Sequence, residues 1–139
     1  MHRTLGWVVA FCLAGFAPMA TVSAHHAASS QYDVQKVVQF KGVLTKVEWV
    51  NPHTHMYFDV KGADGKMKNW AVEYAGVNQL RRVGLNNKQS LTVGATYSLA
   101  VNPARDGRTA GLINSMTFPD GRVFRLLSGV DDGRGQVTR

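Results

Sequence analysis

Short runs of alternating apolar and polar residues dominate the chain from residue 36 onward, and they constrain the fold more than any other feature. The runs are separated by turn signals rich in Gly, Asp, Asn and Pro, such as Ala63-Asp64-Gly65 and Pro119-Asp120-Gly121. Alternation with a period of two is typical of strands that bury one face, because successive side chains point to opposite sides of a sheet. The pattern therefore predicts a mainly β protein.

Six predicted strands share this alternation and cover residues 36–50, 55–60, 67–74, 96–101, 112–118 and 122–127. Between the third and fourth strands, Val77, Leu80 and Val83 recur at a spacing of three, which predicts a short helix. Three strands, one helix and two or three further strands is the order of a small OB-like barrel of five to six strands. A generic six-stranded barrel or an open sandwich is compatible with the same pattern.

The first predicted strand is long and contains Gly42, where the inward-facing parity changes. Before the glycine the apolar residues Val38 and Phe40 occupy even positions, and after it Val43 and Val47 occupy odd positions. A change of parity at a glycine predicts a β-bulge, which bends a strand. We therefore expect the first strand to serve two parts of the barrel.

Residues 1–24 have the features of an export signal. Arg3 precedes an uncharged apolar stretch, and the small residues of Val22-Ser23-Ala24 suit a signal peptidase. An uncleaved membrane anchor is the alternative, because the roughly twenty uncharged residues between Arg3 and His25 could just span a bilayer. Cleavage predicts a periplasmic or secreted protein with no transmembrane segment. The mature chain then divides into an N-terminal segment (25–35), a barrel domain (36–127) and a flexible C-terminal tail (128–139).

Cysteine and charge exclude several classes of function. The only cysteine, Cys12, lies inside the predicted signal, so the mature chain has no disulfide, no thiol nucleophile and no Cys-ligated zinc. The whole chain has a formal net charge of +7, but its basic residues are scattered rather than clustered. No nucleic-acid partner is expected from this distribution. In an exported protein, the anionic partner of a basic surface would be envelope lipid or glycan.

The histidines that remain after cleavage form two pairs, His25 with His26 and His53 with His55. Residues two apart on an extended strand share a face, so the second pair can converge on one ion. Cleavage makes His25 the amino terminus, where its amine and its ring Nδ1 can chelate a metal. One further imidazole completes a nitrogen-rich set that suits Cu(II), with His26 as an alternative terminal ligand.

Two other interpretations of the histidines stay open. His53 follows Asn51-Pro52 and can simply bond a turn carbonyl, while His25 and His26 can be exposed at the terminus. Alternatively, three histidines around Zn(II) would form a small hydrolytic centre. The sequence carries no nucleophile elbow, phosphate loop, dinucleotide fingerprint or H-E-x-x-H motif, so we expect a non-enzymatic protein.

A different class of function is a metal-free OB-type envelope module that binds a small ligand, a glycan or a protein partner. Its candidate groove residues are Trp49, Trp70, Glu73 and Arg105. The alternative for the aromatic residues is that they pack in the core.

Several motifs together resemble an uncharacterised bacterial domain-of-unknown-function family of small exported proteins. They are Ala24-His25-His26, Tyr32-Asp33, the run Gly42-Val43-Leu44-Thr45-Lys46-Val47-Glu48-Trp49-Val50-Asn51-Pro52-His53, Trp70-Ala71-Val72-Glu73, Leu80-Arg81-Arg82-Val83-Gly84 and Asn102-Pro103-Ala104-Arg105-Asp106-Gly107. The resemblance implies a secreted β-barrel with no assigned activity.

Overall fold

The computed structural model describes residues 30–82, 84–85, 90–126 and 135–138. The predicted export signal, His25 and His26 lie outside these residues, as do residues 127–134 and 139. Within the described ranges, no helix combines the length and apolar character needed to cross a membrane.

Seven strands and a short helix are found in the described part of the chain. In chain order they are β1 (Val38–Glu48), β2 (His53–Lys61), β3 (Met67–Ala75), α1 (Val77–Arg82), β4 (Thr96–Pro103), β5 (Ala110–Thr117), β6 (Val123–Leu126) and β7 (Gly135–Thr138). The strands pair in the order β3-β2-β1-β4-β5-β6-β7, and β3 also pairs with β5 in parallel. The β3–β5 pairing closes five strands into a barrel, with α1 between β3 and β4. The predicted OB-like barrel is therefore confirmed.

Strand β1 bends so that each half has a different neighbour. Residues Val38 to Val43 pair with β4, and Val43 to Glu48 pair with β2. The register with β2 shifts between Leu44 and Lys46. A bulged first strand that serves two parts of the barrel is therefore confirmed.

The position predicted for the bulge is wrong. Leu44 is fully buried while Val43 is 37% exposed, so the inward parity established before Gly42 continues past it. Gly42 has a different role, because a Cβ at this position would lie 2.9 Å from the Cβ of Phe58. A glycine lets β1 and β2 approach closely at the point where the barrel curves.

Helix α1 is fixed at both ends by hydrogen bonds, and the one at its N-terminal end comes from the residues just before β2. The side-chain Oδ1 of Asn51 accepts a hydrogen bond from the backbone N–H of Val77 at 3.1 Å. At the other end, Gly84 has a φ of 84°, and the N–H of Leu85 donates to the carbonyl of Leu80 at 2.9 Å. Both leucines are buried, as in a Schellman motif with its hydrophobic contact.

Two strands are longer than the sequence predicts. Strand β2 begins at His53 rather than at residue 55, and β4 continues through Pro103 where a loop was expected from Asn102. Asn102 is buried, and its side-chain amide donates to the backbone carbonyl of Lys36 at 2.7 Å. This bond ties the segment before β1 to the end of β4.

The backbone on either side of Tyr32 also docks on the barrel. The N–H of Asp33 donates to the carbonyl of Pro103, and the N–H of Arg105 donates to the carbonyl of Gln31, each at 2.9 Å. The described end of the N-terminal segment therefore lies against the barrel wall beside β4. At the other end of the chain, β7 lies inside the segment predicted as a flexible tail, and it pairs with β6.

Candidate functional site

Strand β2 presents His53 and His55 on the outer face of the barrel. The intervening Thr54 is fully buried, and Met56 follows it on the inner face. Because the strand is extended here, both imidazoles project from the same side. The expectation that these two histidines share a strand face agrees with this geometry.

Glu73 on β3 joins the two histidines. It lies directly opposite His55 in the β2–β3 register, and its side chain is only 13% exposed. Its Oε1 contacts Nδ1 of His53, and its Oε2 lies 3.8 Å from Nε2 of His55. We call His53, His55 and Glu73 the His-Glu cluster.

Tyr32 extends this cluster to the N-terminal segment. Its hydroxyl donates a hydrogen bond of 2.7 Å to Oε2 of Glu73, and its ring packs with Ala104 and Ala110 in a small apolar cluster. Burial, and secondarily the bond to Glu73, raise the pKa of Tyr32 well above its usual value. The phenol therefore stays protonated and keeps donating to the carboxylate.

The contacts of Glu73 determine which nitrogen of His53 carries the proton. A carboxylate can only accept hydrogen bonds, so the contact with Glu73 requires the proton on Nδ1. In the neutral ring the lone pair is then on Nε2, and the side chain is 46% exposed. A carboxylate behind an imidazole is a common arrangement around metal-binding histidines, because it orients the ring and makes its free nitrogen more basic.

A second carboxylate, Glu48 on β1, lies opposite His55 but is held by other groups. It accepts hydrogen bonds from Lys46 and from the hydroxyl of Tyr57, the latter at 2.9 Å. The bonds from Lys46 and then Tyr57 lower the pKa of Glu48. Glu48 therefore borders the His-Glu cluster as an ionised, hydrogen-bonded neighbour.

The predicted metal ligands fall into two groups. His53 and His55 are in the cluster, whereas His25 and His26 lie outside the described residues. Among residues 30–82, 84–85, 90–126 and 135–138, no three His, Cys, Asp or Glu side chains are arranged as a complete metal-binding group.

The predicted groove residues are distributed over three places. Glu73 belongs to the His-Glu cluster, and Trp49 is partly buried against the core just after β1. Trp70 and Arg105 do line one groove, whose volume is about 440 Å³. Three basic residues that the sequence analysis did not single out also line this groove, namely Lys36, Lys68 and Arg108.

Tyr32 was not identified from the sequence as part of the site. Tyr32-Asp33 carries no spacing signal toward Glu73, because the two residues are 41 positions apart and meet only through the docking of the N-terminal segment. The basic groove residues were missed for the same reason, since they come from the residues just before β1, from β3 and from the β4–β5 loop.

Comparison with known proteins gives one match. The model of a family described as "Family of unknown function (DUF6152)" matches residues 13–115. No match is found among curated proteins or among solved structures.

Proposed function

Given that the chain belongs to DUF6152, a family of unknown function, we propose that it is an exported, periplasmic and non-enzymatic β-barrel protein that binds copper. In this proposal, cleavage after residue 24 makes His25 the amino terminus. The amine and ring of His25 join the imidazoles of His53 and His55 around one Cu(II), and His26 is the alternative terminal ligand. The role of such a site is to sequester or deliver the metal.

The observation that carries the proposal is the pair of imidazoles on one face of β2. Their Cβ atoms are separated by two residues of extended strand, which is about 7 Å. Two imidazoles at this separation can bind one ion between them, and Cu(II) has the highest affinity of the common divalent ions for nitrogen ligands.

Glu73 supports the proposal through its contact with Nδ1 of His53. The carboxylate fixes the ring and leaves Nε2 as the basic nitrogen, so the site does not have to order His53 when a metal binds. Glu73 is itself held by Tyr32, and its side chain is largely buried. It acts as a positioning residue, while the histidines are the ligands.

The docking of Tyr32 supports the participation of His25. Tyr32 bonds the carboxylate that the two histidines contact, and it lies seven positions after His25. Seven residues span at most about 24 Å when fully extended. The tether therefore permits the new amino terminus to reach His53 and His55 without any change in the barrel.

Isothermal titration calorimetry with Cu(II) and Zn(II) tests the proposal on the chain that begins at His25. One comparison chain is acetylated at the amine of His25, and a second carries His53→Gln and His55→Gln. Each change is expected to weaken Cu(II) binding at least about tenfold, because it removes ligands of the metal. A tenfold loss of affinity corresponds to about 1.4 kcal/mol of binding free energy. Mass spectrometry of the exported protein checks that it begins at His25.

Asp59→Asn is the matched control, because Asp59 lies on the same face of β2 and bonds the side chain of Asn69 rather than the His-Glu cluster. This variant is expected to bind Cu(II) like the parent chain. Equal Cu(II) affinities with a free and with an acetylated amine would remove the terminal chelate of His25 from the site. Tight Zn(II) binding accompanied by ester hydrolysis would favour a zinc-dependent hydrolase instead.

A second candidate function is a metal-free envelope module that binds a small ligand. The observation in its favour is the groove of about 440 Å³ that Trp70 and Arg105 line, because ligand sites are commonly concave and of this size. Absence of Cu(II) and Zn(II) binding in the calorimetry would favour this candidate.

A further inference from the structure

The groove beside Trp70 combines one aromatic side chain with several cationic ones. Lys36 lies just before β1, Lys68 and Trp70 come from β3, and Arg105 and Arg108 come from the β4–β5 loop. We infer that this groove binds an acidic sugar, with the sugar ring against Trp70 and its carboxylate or phosphate group on the basic residues. The inference rests on the second candidate function above and is independent of the copper site.

The side chains that line the groove have an excess of positive charge. Four cationic side chains and a single acidic one, Asp33, line the groove. The charge of Arg108 is partly neutralised by Asp106, because Nε of Arg108 lies 3.4 Å from Oδ2 of Asp106. Lys36 and Lys68 form no ion pair with any of the described residues. Their ammonium groups therefore favour an anionic ligand between them.

Trp70 carries the second step, because charge alone would suit any small anion. Its indole packs against Phe40 with the ring centroids 4.7 Å apart, and it is only partly buried. Phe40 therefore holds the indole in place while part of it lines the groove beside Val38 and Pro103. A fixed, accessible aromatic ring favours a ligand that has an apolar ring face of its own.

The size and lining of the groove favour a sugar over a nucleic acid. Proteins that bind single strands stack successive bases on several aromatic side chains along a basic track. Here Trp70 is the one aromatic side chain among the described residues that line the groove, and the volume is about 440 Å³. A mono- or disaccharide with an acidic group matches this lining, whereas a run of stacked bases does not.

The test is titration of the full chain with digalacturonate, with maltose as a neutral disaccharide, with inorganic phosphate and with a ten-residue thymidine oligonucleotide. We expect digalacturonate to bind at least about tenfold more tightly than any of the other three. The double variant Lys36→Gln/Lys68→Gln is expected to lose about tenfold in digalacturonate affinity, since it removes the two lysines that have no described partner. Lys41→Gln is the matched control, because Lys41 is an exposed lysine of β1 outside the groove lining.

The outcomes separate this inference from the candidate function on which it rests. Equal binding of maltose and digalacturonate would overturn the acidic-sugar inference while leaving a ligand-binding module in place. Tighter binding of phosphate or of the oligonucleotide would overturn it in favour of that ligand. No binding of any probe would overturn the inference, whereas the second candidate function, which includes other small ligands and protein partners, would not be overturned by it. Circular dichroism of each variant verifies that the barrel remains folded.

Discussion

Replacing Tyr32 with Phe is expected to destabilise the protein through one hydrogen bond. Phe keeps the ring among Ala104 and Ala110 but removes the 2.7 Å bond to Glu73. A hydrogen bond to a charged group contributes about 1.5–3 kcal/mol to the free energy of unfolding. Glu73 is slightly exposed, so water can replace part of the bond in the variant. We therefore expect the free energy of unfolding to decrease by about 1.5–2 kcal/mol. Urea unfolding at pH 7 should show this as a midpoint lowered by about 1 M with an unchanged slope.

Burial of Tyr32, together with the same bond, raises its pKa and predicts a pH dependence of stability. A group whose pKa is higher in the folded state stabilises that state fully below its unfolded pKa, which is about 10 for Tyr. The contribution is lost as the pH rises above that value. The difference in unfolding free energy between the parent chain and Tyr32→Phe should therefore be constant from about pH 7 to 9 and decrease above about pH 10.

Tyr57→Phe is the matched comparison, since its bond to Glu48 lies on the more exposed surface of the barrel. Loss of that bond should cost less than about 1 kcal/mol. A Tyr32→Phe chain with the same urea midpoint as the parent would refute the reasoning, because it would mean that Tyr32 does not hold the N-terminal segment on Glu73.

Two further predictions concern the barrel itself. Thr54→Val is expected to raise the free energy of unfolding by about 1 kcal/mol. Oγ1 of Thr54 is buried and has no hydrogen-bond partner in the described part of the chain. A lower thermal midpoint of the variant would contradict this. Gly111→Ala is expected to lower the free energy of unfolding by about 1–3 kcal/mol, because the new Cβ would lie 2.8 Å from Cγ2 of Val101. Calorimetric unfolding with an unchanged midpoint would contradict this and show that β4 and β5 have room to separate.

Local signals in the sequence were sufficient for most of the fold. Alternation identified β1 to β6 but not β7, and the spacing of Val77 and Leu80 ahead of Gly84 identified α1, because periodicity and turn residues act within a few positions. The exact site of the bulge was not predictable in this way. Gly42 marks a close approach to Phe58, and a glycine required for space has the same sequence signature as a glycine required for a bulge.

The candidate site was only half predictable, for a related reason. That His53 and His55 share a face follows from the period of a strand. The contribution of Glu73 depends on the register between β2 and β3, and that of Tyr32 depends on a segment docking across the barrel. Neither is encoded in local spacing. The clustering of Lys36 with Lys68 is likewise a product of the closed topology.

Electron paramagnetic resonance of the chain that begins at His25, loaded with one equivalent of Cu(II), tests the central claim most directly. The account predicts a tetragonal signal with at least three nitrogen donors, which loses imidazole coupling when His53 and His55 are replaced by Gln. A spectrum that does not change with those replacements would contradict the account, because the strand histidines would then not be ligands of the metal.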